Sequence, residues 1–393
     1  MVNECIRIGL ENDTSNMKKL SQLAHKQLAK YDMLNYYKLC NLQSSRNLSA
    51  RKKSLKRGVR TKSPYTLKPQ LISCYGFKVS NNTLGVPVAK RECFEIPLNK
   101  YTQHVLSSDP DLNIRSFTLT PTTVSISYSK AVGETNCTSA AGIDRNLRNV
   151  TYGNFKEIVQ YDLSQAAEIT ESTNDVVKSF RRNDNRIRRK LVSKYGKRRK
   201  NRINHILHNV SKNITDRSLV KEQAIVFENI TNIRRMYRRG NGQGRDYRRR
   251  LNAWPFGEIK RQIEYKAKWL GIPVIQLSVK DTQHTSTLCP QCGERLQGAK
   301  RDDKLHRRQL WCLSCKRWLD RDVVAAMNQS LKGWVMFAHS KGVAHEAMRG
   351  NLEEYLPVIL RVDATKPSQL TVKAVANCPN GLDRTKIKSG LFP

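Results

Sequence analysis

Along residues 139–278, short apolar runs of strand length alternate with longer stretches of helical spacing. "AAGIDRNLRNVTYGNFKEIVQYDL" reads as three short strands joined by tight turns. A helical stretch follows over about 163–220, then "QAIVFE", a compact apolar strand closing on Glu228. "WPFGEIKRQIEYKAKWL" predicts an amphipathic helix: Phe256, Ile259, Ile263, Ala267 and Leu270 share one face, Pro255 precedes it and Gly271 follows it. "IPVIQLS" is a further strand, and a final helix begins near residue 320. This order predicts a mixed sheet with helices packed on it.

Residues 1–138 have a different rhythm. "NECIRIGL" alternates and predicts a first strand, and "NMKKLSQLAHKQLAKYDMLNYYKLCNL" has helical spacing. "QLISCYGFKV", "RECFEIPL", "IRSFTLT" and "TTVSISYS" are short β-type runs between turn residues, as in a small barrel or sheet. After Trp334 periodicity fades apart from "YLPVIL", and 335–393 reads as a weakly specified tail.

Charge narrows the partners. The 393 residues carry 71 Lys+Arg against 33 Asp+Glu, a formal charge of +38. Such a charge opposes compaction unless an anion neutralises it, and nucleic acid is the obvious counter-ion. No apolar run reaches the length of a spanning helix, and "MVNECIRIGLENDTSN" lacks the apolar stretch of a signal peptide. The expected setting is the cytoplasm of a prokaryote, on the nucleoid when DNA is bound, with no membrane partner.

Of ten cysteines, four form two C-x-x-C pairs: Cys289 and Cys292 in "CPQC", Cys312 and Cys315 in "CLSC". Two such pairs complete a tetrahedral Zn²⁺ site, and four thiolates leave no open ligand position, so the ion is structural. A redox motif needs only one pair. His284 and His306 lie nearby and are read as solvated or nucleic-acid-facing rather than as ligands.

Three acids stand at suggestive places: Asp144 in "AGIDRN", Glu228 in "IVFEN", and Asp322 in the first turn of the last helix. If the two strands adjoin and the helix crosses them, three carboxylates converge and bind Mg²⁺, with Mn²⁺ as a substitute. A two-metal site of this kind hydrolyses phosphodiesters. Each acid also has a plain reading. Asp322 and Asp320 suit a helix cap, and Glu228 suits a solvated strand end. Asp144, inside an apolar run, is harder to dismiss.

Residues 178–202 hold thirteen Lys or Arg and one Asp, too few acids for compensating helical pairs. Nucleic-acid contacts are therefore expected from Arg181, Arg182, Arg186, Arg189, Lys190, Lys197, Arg198 and Arg199. The Gly/Arg stretch "RRMYRRGNGQGRDYRRR" adds Arg234, Arg235, Arg238, Arg239, Arg245 and Arg248, read as a loop over the acidic site. Tyr237, Tyr247 and Trp254 are stacking candidates, with core packing an equal reading for Trp254.

"GIDRNLRN", "IVFENI", "TSTLCPQCG" and "RQLWCLSCKRWLDRDVVAAMN" resemble, in this order, the TnpB/OrfB family of insertion-sequence transposons, archaeal members most of all. The same split nuclease domain occurs in the larger type V CRISPR effectors. The resemblance covers about 139–330. It implies an α/β (α+β multidomain) chain: an RNase H-like RuvC nuclease domain with an inserted zinc ribbon, preceded by a small β-barrel with a helical insertion. The implied boundaries are 1–138 for the wedge-type barrel, with its helical recognition insertion at about 13–62. The RuvC-like first part spans 139–278, the four-cysteine zinc ribbon 279–319 and the last RuvC-like helix 320–334.

The implied activity is Mg²⁺-dependent, RNA-guided cleavage of double-stranded DNA beside a short adjacent motif, by a monomer in a ribonucleoprotein with a transposon-derived guide RNA. Asp144, Glu228 and Asp322 would be the metal-binding carboxylates, and Cys289, Cys292, Cys312 and Cys315 would hold zinc. Two positions depart from the family pattern: Asn146 stands where Gly is usual, and Val324 where Asn is usual. Other classes stay open: a non-cleaving guided repressor or zinc-ribbon binder, and a guide-independent, structure-selective resolvase.

Overall fold

The computed structural model describes all residues except 32–36, 74–75, 81, 90–91, 183, 231–243, 300–302, 304–305, 307, 342–356 and 366–393. The chain forms two compact units, Met1–Ala131 and Val132–Pro393.

The first unit opens on helices, not on a strand. α1 (Val2–Glu11), α2 (Met17–Leu28) and α3 (Tyr37–Lys56) share a core of Val2, Cys5, Ile6, Ile8, Leu20, Ala24, Leu28 and Leu48. The strand expected at "NECIRIGL" is therefore corrected. Val2, Cys5, Ile6 and Gly9 recur at i, i+3, i+4 and i+7, so a helical stripe is what becomes buried. Asn16 caps α2 by accepting from the Lys18 and Lys19 amides.

Next come β1 (Leu71–Ser73), β2 (Lys78–Val79), β3 (Thr83–Ala89), β4 (Glu92–Pro97), α4 (Lys100–Ser107), β5 (Asn113–Leu119) and β6 (Val124–Ser129). They pair as two three-stranded antiparallel sheets, β1-β5-β6 and β2-β3-β4. Both sheets contribute to one core around Leu84, Val86 and Phe117, with Phe77 set edge-on to Phe117 at 5.5 Å.

The second unit is built on a six-stranded mixed sheet. β7 (Ser139–Arg145), β8 (Asn149–Gly153) and β9 (Glu157–Asp162) form an antiparallel meander. α5 (Ser164–Ser179) and α6 (Asn185–Val220) divide the expected 163–220 stretch, with a turn of 3₁₀ helix at Phe180–Arg182 between them. β10 (Gln223–Phe227) lies parallel to β7. After α7 (Arg245–Ala253) and α8 (Phe256–Trp269), β11 (Val274–Gln276) lies parallel to β10.

α9 (Val279–Thr282) leads into a small antiparallel sheet of β12 (Gln297–Gly298), β13 (Gln309–Cys312) and β14 (Arg317–Asp320). α10 (Arg321–Lys341) follows without a break, seven residues beyond the end expected at 334. β15 (Val358–Asp363), in the stretch read as tail, is the sixth strand and pairs parallel with β9. The sheet order is β11-β10-β7-β8-β9-β15. No described helix is long and apolar enough to cross a membrane.

Strand parity divides this core. Ala141 and Ile143 of β7, with Ile225 and Phe227 of β10, meet the faces of α5, α6 and α8. Ala140, Ala224 and Val226 turn to the opposite side, where Trp334 and Ala338 of α10 cover them. By the same period of two, Asp144 and Glu228 belong to the side on which α10 lies.

α10 reaches β7 through a glycine. A Cβ on Gly142 would stand 2.1 Å from the Ala326 carbonyl oxygen and 2.8 Å from both the Ser330 amide nitrogen and Gln329 Cβ. Backbone cannot yield as a flexible side chain can, so Gly142→Ala is expected to cost about 1–3 kcal/mol as overpacking. Gly257, inside α8 with nothing within 4 Å of its Cβ position, is the control. Gly257→Ala is expected to leave the melting temperature level or raised, by up to about 1 kcal/mol of helix propensity. Thermal melts of both variants check this; equal responses contradict the close approach.

Candidate metal and nucleic-acid site

The acidic site follows from register. In the parallel β7–β10 ladder Phe227 pairs with Ile143, so Glu228, the residue just past β10, falls beside Asp144 of β7. Asp322 arrives from the first turn of α10, 4% exposed. Asp320 accepts the Asp322 amide at 2.8 Å and the Val323 amide at 3.2 Å, and so caps the helix and fixes where Asp322 begins. The plain reading of Asp320 holds, and the cap orients its neighbour.

Each carboxylate has its own escort. Asn146 Nδ2 donates to Asp144 Oδ2 at 2.5 Å. Asn149 Nδ2 and Arg308 Nη2 both donate to Asp322 Oδ2, at 2.9 and 2.6 Å. Arg145, its side chain 4% exposed, approaches Glu228 Oε1 at 3.4 Å through Nε and donates to the Glu228 carbonyl through Nη2 and to the Phe256 carbonyl through Nη1. Burial, and then the charges of Glu228 and Asp322, push the Asp144 carboxyl well above the ordinary aspartate range. Burial also raises Glu228, with Arg145 pulling it back, and raises Asp320, with Asp322 adding to the effect.

The donor set suits a hard cation. It is all oxygen, its charges repel one another, and Asn149 Oδ1 is buried without a hydrogen-bond partner. Among the described residues, only the four cysteines bring three or more metal-type donor atoms within 4.8 Å of one another. The carboxylates stand more loosely, as mutually repelling groups engaged by arginines do.

At the second centre, Sγ of Cys289, Cys292, Cys312 and Cys315 all lie within 4.8 Å. Cys289 and Cys315 are 3.8 Å apart, and Cys292 and Cys312 3.5 Å. A tetrahedral ion with bonds of about 2.3 Å places its ligands about 3.8 Å apart, so these four thiols can hold a metal ion. Burial pushes the Cys289 and Cys315 thiols up, so a cation is what would keep both as thiolates. Gly293 and Lys316, each directly after a C-x-x-C pair, take φ of +76° and +48° and turn the two knuckles. His306 stacks on Trp318 at 4.1 Å and meets Asp303 at 2.8 Å, outside the cysteine cluster. β14 then joins this centre to α10, and so to Asp322, by a few residues.

A model of the Cas12f1-like TNB domain matches residues 256–329. TnpB-like protein MJ0751 of Methanocaldococcus jannaschii is 32% identical over 219 residues, 52% of this chain and 72% of that protein. The chain belongs to the TnpB family. In fold it resembles Cas12f1, as seen in the cryo-EM structure of the Cas12f1–sgRNA–target DNA complex: TM-score 0.55, 12% identity, 84% of this chain and 79% of that one.

The structure gives a contact to each of the two positions expected to depart from the family pattern. Asn146 touches the Asp144 carboxylate. Val324, fully buried, packs with Leu296, Leu319 and the cysteines of the ribbon, away from the acids. Asn328, one turn on, ties α10 to the ribbon through the Thr285 and Leu288 carbonyls.

The basic residues divide by what the structure describes. α6 has 36 residues, about 54 Å of helix. From Asn185 to Arg202 no residue of it is buried, and Arg186, Arg189, Lys190, Lys197 and Arg198 are exposed. Arg182 is exposed just before it, and Arg199 donates to Asn174 at 3.3 Å. The stripe that anchors α6 begins only at Ile203. Arg245 is exposed and Arg248 half-buried on α7. Arg234, Arg235, Arg238, Arg239, Tyr237 and the Arg181 side chain lie outside the described residues. Trp254, 8% exposed and edge-on to Phe256, takes its core reading, whereas Tyr247 is exposed.

Sequence reasoning missed Asn149, Arg145 and Arg308. The partners of Asn149 and Arg308 on Asp322 are 173 and 14 residues away, and no local pattern marks them.

The raised Asp144 has a measurable consequence. Unfolded, it ionises near 3.8; folded, only at higher pH. Its contribution to stability is thus complete below pH about 3.8 and is lost as pH rises from there through the raised value. With no magnesium or manganese added, Asp144→Asn is expected to melt above the parent protein at neutral pH, the gap closing toward pH 4. Equal melting at neutral pH contradicts the crowding of charge.

Proposed function

We propose that the protein is an RNA-guided DNA endonuclease with a RuvC-like, RNase H-type active site. What supports this reading is the placement of Asp144 and Glu228 at neighbouring positions of two parallel strands, with Asp322 near enough to raise the Asp144 carboxyl, in a chain of charge +38. Asp144, Glu228 and Asp322 would hold Mg²⁺, with Mn²⁺ as a substitute, and the bound ions would activate water and stabilise the leaving oxygen of a phosphodiester. Asn146 and Asn149 orient two of the carboxylates, and Arg145 pairs with Glu228. Cys289, Cys292, Cys312 and Cys315 hold a structural Zn²⁺ with no vacant position for chemistry.

The uncovered half of α6 supplies phosphate contacts along a guide–target duplex, read through its A-form shape while base pairing supplies sequence choice. Guide RNA and target DNA are the partners in the complex of the fold relative, and we extend both to this chain. We propose further that the guide is transposon-derived and that the substrate is double-stranded DNA beside a short adjacent motif.

Co-purified RNA, identified by sequencing, supplies the guide for the test. Asp144→Ala is expected to abolish Mg²⁺-dependent cutting of matched DNA while RNA binding stays within about twofold, since the acid is not a phosphate contact. Cutting that survives the substitution overturns the reading. Tight guided DNA binding with no cutting by the parent protein assigns it to non-cleaving repressors. Cutting of branched DNA by RNA-free protein assigns it to resolvases.

A further inference from the structure

Among the described residues, two arginines form ion pairs with these carboxylates, Arg145 with Glu228 and Arg308 with Asp322, and they are held in different ways. The Arg145 side chain is 4% exposed, fixed by two backbone carbonyls, by Glu228, and by the Phe227 ring at 5.5 Å. It is part of the core and has nowhere else to go. The Arg308 side chain is 57% exposed. Among the described residues its guanidinium has one hydrogen-bond acceptor, Asp322 Oδ2, at 2.6 Å. Its backbone is pinned all the same. The Arg308 carbonyl accepts the Arg321 amide at 3.2 Å, and the next residue, Gln309, pairs with Asp320 in the β13–β14 ladder. A fixed Cα thus carries a long side chain free to swing between the acid and solvent.

We propose that Arg308 is the exchangeable counter-ion of the acidic site: it neutralises Asp322 until a divalent cation displaces it, so that the cysteine ribbon sets how readily the site loads metal. The inference rests on the reading of the carboxylates as metal ligands. The chemistry favours exchange. A guanidinium and a hard dication compete for the same carboxylate oxygen, and the dication brings twice the charge. The outer arginine is the one that leaves, because an ion pair with one end in water is cheap to open, whereas removing the buried one strands Glu228. Asn149, neutral and on the same Asp322 oxygen, keeps the carboxylate oriented during the exchange.

The test is Mn²⁺ binding to the full-length protein with zinc on its cysteines, with free Mn²⁺ counted by electron paramagnetic resonance at low salt. Asp144→Ala defines the fraction bound at the acidic site. For that fraction, Arg308→Gln is expected to lower the Mn²⁺ dissociation constant severalfold, and Arg308→Lys to keep it near the parent value. The exposed position spares the fold, and a melting curve of each variant checks that it is folded. Unchanged or weaker Mn²⁺ binding in Arg308→Gln overturns the inference and leaves the metal site standing. Absence of any Asp144-dependent Mn²⁺ binding in the parent overturns the metal-site reading and the inference with it.

Discussion

The crowding of charge around the buried Asp144, which Glu228 and Asp322 both push toward its neutral form, is the constraint that the second unit has to hold. The parallel register of β7 and β10 fixes Asp144 and Glu228, and the helix that carries Asp322 is pressed against β7 at Gly142. The cap from Asp320 leaves the start of that helix no freedom to slide. Burial around Asp144 then makes the uncompensated charge expensive, which is why its carboxyl is held toward the neutral form. A fold that spends stability in this way at one point, and packs an alternating apolar core elsewhere, has the profile of a functional site.

The surrounding charge makes sense on the same terms. Acids buried within a chain of +38 are what the proposed nuclease would need: a basic surface to gather phosphates and a few carboxylates to hold cations beside them. Arg145 and Arg308 pair with Glu228 and Asp322. The cysteine ribbon shares in that role. Its β14 strand runs straight into α10, Val324 and Asn328 of the helix belong to its packing, and Arg308 reaches back from its edge. The ribbon is therefore a brace for the helix that carries Asp322, and not an appended module. α6 is the contrasting device, anchored from Ile203 onward and uncovered before it.

Much of this was legible in the residues. The meander β7–β9, the strand ending at Glu228, the stripe of α8 and the cysteine quartet each follow a local rule of period or spacing, and each formed where that rule put it. Elements that answer to tertiary context were not. "NECIRIGL" alternates well enough for a strand, yet its helical stripe is what finds partners in α2 and α3. β3 carries Pro87, a residue that argues against a strand, yet Pro87 pairs with Cys93 of β4 and the ladder shifts register only after it. β15 is a short apolar run in an unpatterned stretch, and only the open edge of β9 makes it a strand. For the site, residue type and spacing pointed to the acids. Their escorts Asn149, Arg145 and Arg308 are set by register and by the packing of the ribbon, which no window of sequence contains.

The most direct measurement is anomalous diffraction from crystals of the protein soaked in Mn²⁺. Manganese is expected within about 2.0–2.3 Å of carboxylate oxygens from Asp144, Glu228 and Asp322 together, hard-cation distances to oxygen. Manganese bound elsewhere, with these three side chains apart and unliganded, would contradict the convergence of the acids on one cation site.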